Sequence, residues 1–91
     1  MTQYLSVEDL LVLARDVEAG PVSDLGALSA AAHRPAATFY GRDAYATLTE
    51  KADALRDAIV TSRPMTEGND RLAWLASAVF RELNGDSVTQ F

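Results

Sequence analysis

Apolar residues recur along this chain at spacings of three and four, in four runs separated by Gly, Pro and short polar stretches. Each run predicts one amphipathic helix. Ser6-Val7-Glu8-Asp9 is a capping-box start, and Val7, Leu10, Leu11, Ala14 and Val17 then form one apolar stripe. Gly20-Pro21 stops that helix. A shorter helix starts at Ser23 or Asp24, with Leu25, Leu28, Ala31 and Ala32 as its buried face and Pro35 as its stop. Gly26 weakens it. Thr47-Leu48-Thr49-Glu50 is a second capping box, and Leu48, Ala52, Leu55 and Ile59 give the third helix its inward face, with Val60 beside it and Pro64 ending it. The fourth helix opens at Asn69 or Asp70. Leu72, Leu75, Ala76, Val79 and Leu83 line its inward side, Trp74 and Phe80 flank it, and Asn84-Gly85 closes it. Asp86 to Phe91 reads as a frayed tail.

One stretch departs from the helical period. Ala36 to Arg42 contains the β-branched and aromatic run Thr38-Phe39-Tyr40, closed by Gly41, and reads as a loop or short hairpin arm. The fold class is therefore all-α, with four main helices in a single domain over residues 1–91 and a flap-like loop near 36–42. No internal repeat, heptad or low-complexity tract interrupts it.

Composition narrows the functions. With 48% hydrophobic residues in 91, the chain is rich enough in apolar side chains for a packed core. It has no cysteine, which excludes disulfides and Cys-based metal sites and fits a reducing cytoplasm. The net charge is −5 and no basic patch is visible, so no nucleic-acid partner is expected. No apolar run approaches the ~20 residues of a membrane span, and Met1-Thr2-Gln3-Tyr4 does not open a signal peptide.

Candidate chemistry gathers between the third and fourth helices, in Arg63-Pro64-Met65-Thr66-Glu67-Gly68-Asn69-Asp70-Arg71. A Gly-Asn turn that opens a helix and is followed by an arginine suits a phosphate, because unpaired N–H groups and the positive end of the helix dipole meet there. The stretch resembles the signature loop of the Fic/Doc family, H-x-F-x-D/E-A/G-N-G/K-R. Tyr4-Leu5-Ser6-Val7-Glu8-Asp9, Ala32-His33-Arg34-Pro35 with the segment to Gly41, Thr47 to Ala52, Leu72 to Ala76 and Glu82 to Gly85 resemble the same family in the same order.

That resemblance implies a Fic-type helical fold and a toxin of a toxin–antitoxin module, localised in the cytoplasm. Such enzymes transfer a phosphate or nucleotidyl group from ATP or another nucleoside triphosphate, with Mg²⁺, to a hydroxyl of a target protein such as a translation elongation factor. It implies Glu67 as metal ligand and Gly68, Asn69, Asp70 and Arg71 as the nucleotide-binding positions. Family chains continue for one or two helices past Leu83-Asn84-Gly85, so the back of the fourth helix is expected to lack cover. Arg63 stands at the position of the family's catalytic histidine. A guanidinium has no lone pair to accept a proton, so Arg63 is not competent as the base. His33 is the one histidine in the chain. Asp70 replaces Gly or Lys and places a carboxylate where a phosphate would sit, at a cost of about 1 kcal/mol or more.

The same residues have plain structural readings. Glu67 can be a solvated loop acid, Gly68-Asn69 a turn and cap, Arg71 a surface arginine paired with Glu67 or Asp70. Arg63 and Asp70 can pair across the loop, and His33 can sit at a helix end. Two functions compete: a Doc-like toxin whose transferase site is impaired, and a non-catalytic module that sequesters an antitoxin or target. An unrelated small helical interaction domain is a third, weaker reading.

Overall fold

The computed structural model describes residues 1–86; of the expected tail Asp86 to Phe91, residues 87–91 lie outside them. Among the described residues, four α-helices carry the fold: α1 (Val7–Asp16), α2 (Leu25–His33), α3 (Leu48–Ser62) and α4 (Asn69–Leu83). A 3-10 turn at Arg34–Ala36 follows α2 directly. It leads into a small antiparallel hairpin, β1 (Thr38–Phe39) and β2 (Arg42–Asp43), with Thr38 opposite Asp43 and Phe39 opposite Arg42. The mostly helical class read from periodicity is therefore observed, and the extended stretch is the short hairpin arm. No helix among the described residues is long and apolar enough to cross a membrane.

Local chemistry sets the helix starts. Ser6 and Asp9 make a reciprocal capping box on α1, and Thr47 and Glu50 make one on α3. Asp24 caps α2 by accepting from the Ala27 N–H at 3.0 Å. The core lies where α3 and α4 face each other with α1 and α2 laid against them: Leu10, Leu28, Leu55, Ile59, Leu72 and Phe80 are all fully buried. Tyr4 packs on Phe80 with ring centroids 6.0 Å apart.

Several faces are turned from their expected orientation. Leu75 and Val79 are half-buried and Leu83 is exposed, whereas Ala73, Ser77 and Phe80 are buried. The inward stripe of α4 is thus Leu72, Ala73, Ala76, Ser77 and Phe80. The neighbouring helices crowd the small residues, so Ala and Ser take positions that apolarity alone assigned to Leu and Val. Leu25 and Leu11, expected on the buried faces of α2 and α1, are exposed. Asp86 is held by its own N–H on the Arg81 carbonyl at 2.8 Å and by the Arg81 guanidinium at 3.0 Å, so the chain is fixed to that point.

Lys51 is only 3% exposed. Its ammonium donates to the Asp43 carboxylate at 3.2 Å and to the Tyr45 carbonyl, tying the end of the hairpin to the first turn of α3. A buried lysine without partners would be costly; these two acceptors offset that cost. At the hairpin turn the Phe39 and Tyr40 rings pack at a tilt with centroids 4.5 Å apart, and Tyr40 is 93% exposed in a left-handed conformation, φ 51°.

Candidate functional site: the α3–α4 loop

The loop begins with a backbone reversal. Arg63 caps α3 in the left-handed region at φ 48°, ψ 62°, and its N–H donates to the Ile59 carbonyl at 2.9 Å. Pro64 then points its carbonyl at the start of α2, accepting from the N–H groups of Ser23 at 2.8 Å and Asp24 at 3.1 Å and from the Ser23 hydroxyl at 3.1 Å.

From there the loop lies along the α1–α2 connection like a short strand pair. Met65 bridges Val22. The Thr66 N–H donates to the Pro21 carbonyl at 2.8 Å, and the Gly20 N–H donates to the Glu67 carbonyl at 3.0 Å. Gly20-Pro21 ends α1 as expected, but it is also one side of the seam that fixes the candidate site. Nothing in the periodicity signals that second role, because the groups involved are backbone.

Asn69 is 1% exposed. Its side chain accepts from the Met65 N–H and donates to the Met65 carbonyl, both at 2.9 Å. This is the turn role anticipated for Gly68-Asn69, made by the amide pairing with the loop's own backbone. Arg71 reaches back to α1: Nε donates to the Val17 carbonyl at 3.0 Å and Nη2 to the Glu18 carbonyl at 3.2 Å. It satisfies carbonyls at the C-terminal end of α1. It makes no ion pair with Glu67 or Asp70 among the described residues. The bonded Val17 and Glu18 carbonyls have no sequence signature.

Gly68 is the N-cap of α4 with φ 81°. A Cβ there would stand 2.8 Å from Arg71 Nη2 and 2.9 Å from Ala19 Cα, so the position needs glycine for space as well as for conformation. Unlike α1, α2 and α3, α4 has no side chain capping its first turn. Among the described residues, the N–H groups of Glu67, Gly68, Asn69, Asp70 and Arg71 make no hydrogen bond. Unpaired donors at the positive end of a helix can hold an anion.

The charged side chains around these donors are exposed. Arg63 Nη1 lies 3.7 Å from Asp70 Oδ1, the pairing across the loop that the sequence allowed. At this exposure the pair contributes less than ~1 kcal/mol, so it closes the loop only loosely. Glu67 is exposed beside it. Among the described residues, no group of three or more His, Cys, Asp or Glu side chains could hold a metal ion. His33 ends α2 with Nδ1 2.8 Å from the Ser29 carbonyl oxygen. Trp74, one turn beyond Asp70, is 66% exposed, while Phe80 is buried in the core.

No family model matches the chain, and no solved structure matches it. Among curated proteins, it is 42% identical over 87 residues to "Toxin Doc" of Mycolicibacterium smegmatis, an alignment spanning 93% of this chain and 67% of that protein.

Proposed function

We propose, from the premise that this chain belongs to the Doc toxin family, that it is the toxin of a toxin–antitoxin module whose phosphate-binding loop is retained and whose catalytic base is lost. An antitoxin protein is its expected partner, and the cytoplasm its place of action. The observation that supports this reading is the row of five unpaired N–H groups from Glu67 to Arg71 at the uncapped start of α4.

In this reading the backbone, aided by the dipole of α4, recognises the phosphates of ATP or another nucleoside triphosphate. Glu67 supplies one carboxylate at the loop's edge. One carboxylate with phosphate oxygens and water is a common Mg²⁺ set. The residues thus fit a Mg²⁺-nucleotide through Glu67 and main-chain N–H groups. The side chains of Asn69 and Arg71 are already engaged elsewhere.

Phosphoryl or nucleotidyl transfer to a hydroxyl of a target protein, such as a translation elongation factor, needs a group that accepts the hydroxyl proton. Arg63 stands where the family keeps its histidine and has no free lone pair. Losing a positioned base costs about 10²–10⁴ in rate, so transfer by this chain is slow at best.

A second reading has its own support. Asn69 and Arg71 hold the fold, and Arg63 and Asp70 lie across the loop mouth. A loop built this way also suits a non-catalytic module that sequesters an antitoxin or target.

The test is Mg²⁺-ATP affinity, followed by NMR, of the parent and the double variant Arg63→His, Asp70→Lys. Removing one carboxylate and adding one cation beside the N–H groups should raise affinity on the order of tenfold. Arg63→His alone should gain less, because Asp70 still repels phosphate. A double variant that folds like the parent and gains no affinity overturns the nucleotide reading and leaves the binding module.

A further inference from the structure

Trp74 is the one tryptophan of the chain, and it lies outside the core. Its side chain is 66% exposed, and among the described residues it packs on no other aromatic ring. A tryptophan contributes to a fold chiefly by the area it buries, and it forms helix less readily than alanine or leucine. Neither packing nor helix propensity accounts for a tryptophan at this place on α4.

We propose that Trp74, with Val60 beside it, is the platform on which the base of a purine nucleoside triphosphate stacks, and so sets nucleotide specificity. The inference rests on the reading of the Glu67 to Arg71 N–H groups as a phosphate site, and adds to it a place for the base. Helix geometry brings the two together. Trp74 follows Asp70 by four residues, on the same face of α4 and about 6 Å along its axis. Helical side chains lean toward the N-terminus, so the indole leans back over the first turn, where the free N–H groups lie. Arg63 Nη1 lies 3.7 Å from Asp70 Oδ1, which fixes the level at which α3 and α4 meet on this side. One turn back along α3 from that level is Val60, 39% exposed; one turn on along α4 is Trp74. An apolar step with an indole on it thus borders the donors.

The chemistry selects a base. Flat, uncharged π-faces stack on tryptophan whatever their hydrogen-bonding edge, and a purine offers a larger face than a pyrimidine. The Asp70 carboxylate repels phosphate but not a neutral base. Stacking therefore offsets that repulsion for a nucleotide and does nothing for a bare phosphate.

The test is a set of NMR titrations of the isotope-labelled chain, in Mg²⁺, with ATP, CTP and inorganic tripolyphosphate, which carries similar charge and no base. Fluorescence adds a second signal, because the single tryptophan reports Trp74 alone. ATP should shift the amides of residues 67–71 and the Trp74 indole together, and bind about tenfold more tightly than tripolyphosphate. CTP should fall between them. Trp74→Ala should weaken ATP about tenfold and leave tripolyphosphate unchanged, whereas Trp74→Phe, which keeps a ring, should retain most of the ATP affinity. The exposure of Trp74 lets both variants fold, which helical circular dichroism checks. Tripolyphosphate binding as tightly as ATP, or unchanged ATP affinity in Trp74→Ala, overturns the platform and leaves the phosphate site standing. CTP binding as tightly as ATP overturns the purine preference. If neither ATP nor tripolyphosphate shifts the loop amides, in the parent and in the Arg63→His, Asp70→Lys variant alike, the phosphate reading fails and this inference with it. Concentration-dependent shifts at Trp74 without ligand would assign the face to a second copy of the chain and overturn the proposal.

Discussion

At the scale of single residues, the candidate site divides into side chains that build the loop and side chains that only face it. Asn69 belongs to the first kind: its amide completes the backbone hydrogen bonding of Met65 in a position closed to water. Asn69→Ala leaves a buried N–H and a buried carbonyl unsatisfied, each costing about 1–3 kcal/mol. It should lower stability by more than about 2 kcal/mol in chemical denaturation. Asn69→Asp keeps the acceptor for the Met65 N–H but turns a buried, unpaired carboxylate toward the Met65 carbonyl, so at neutral pH it should lose at least as much as Asn69→Ala. If Asn69→Ala denatures like the parent, the amide is not what holds the turn. Arg63 and Asp70 belong to the second kind, exposed and loosely paired, so substituting them should affect ligand binding far more than folding. The sequence motif names all these residues alike. It cannot say that Arg71 serves the end of α1 or that Asn69 serves Met65, because the partners are main-chain carbonyls and N–H groups brought close by the fold.

At the scale of elements, helix starts were legible and helix faces were less so, for a physical reason. A cap is local: Ser6 with Asp9, Asp24 with Ala27, and Thr47 with Glu50 each close over three residues; the two capping boxes start α1 and α3 where the sequence places them, and α2, expected from Ser23 or Asp24, begins just after its cap Asp24. A buried face is a property of neighbours. α4 offers two overlapping stripes, one through Leu75, Val79 and Leu83 and one through Leu72, Ala73, Ala76 and Phe80. Close packing on α3 selects the one richer in small residues. The difference is measurable. Phe80 is fully buried, so Phe80→Ala should cost about 3–5 kcal/mol. Leu83 is 48% exposed, so Leu83→Ala should cost less than about 1 kcal/mol. Equal losses in denaturant midpoints would return α4 to the orientation first read from its leucines. The hairpin was legible only as an extended stretch. Its tether, Lys51 on α3 reaching Asp43 and Tyr45, was hidden because lysine on a helix is ordinarily a solvated residue.

At the scale of the whole molecule, the loop is held by the chain's first third as much as by the helices it joins. Gly20 to Asp24 pairs with Pro64 to Glu67, Arg71 reaches the end of α1, and Asn84 exchanges hydrogen bonds with Gln3 at 2.7 and 2.9 Å. These long-range ties make the geometry of the unpaired donors depend on the α1–α2 connection. Two glycines separate that dependence from a general effect of glycine substitution. A Cβ at Gly20 would overlap Thr66 Oγ1 and stand 2.8 Å from Glu67 Cγ and 3.2 Å from Glu67 N, so the two side chains must move and the Glu67 backbone must give slightly. A Cβ at Gly26, within α2, meets only Asp24 Oδ1 at 3.4 Å. Gly26→Ala should therefore stabilise by about 0.5–1 kcal/mol through helix propensity and the unfolded chain. Gly20→Ala should cost on the order of 1–3 kcal/mol by overpacking, a fall in Tm of about 4 °C or more for a domain of this size. Because the displaced atoms include the Glu67 N–H, Gly20→Ala should also weaken phosphate binding at temperatures where the protein is still fully folded, whereas Gly26→Ala should leave it unchanged. Calorimetric melting and a phosphate titration on the two variants decide the matter. A Gly20→Ala chain with parental Tm and parental phosphate affinity would show that the seam does not set the geometry of the loop.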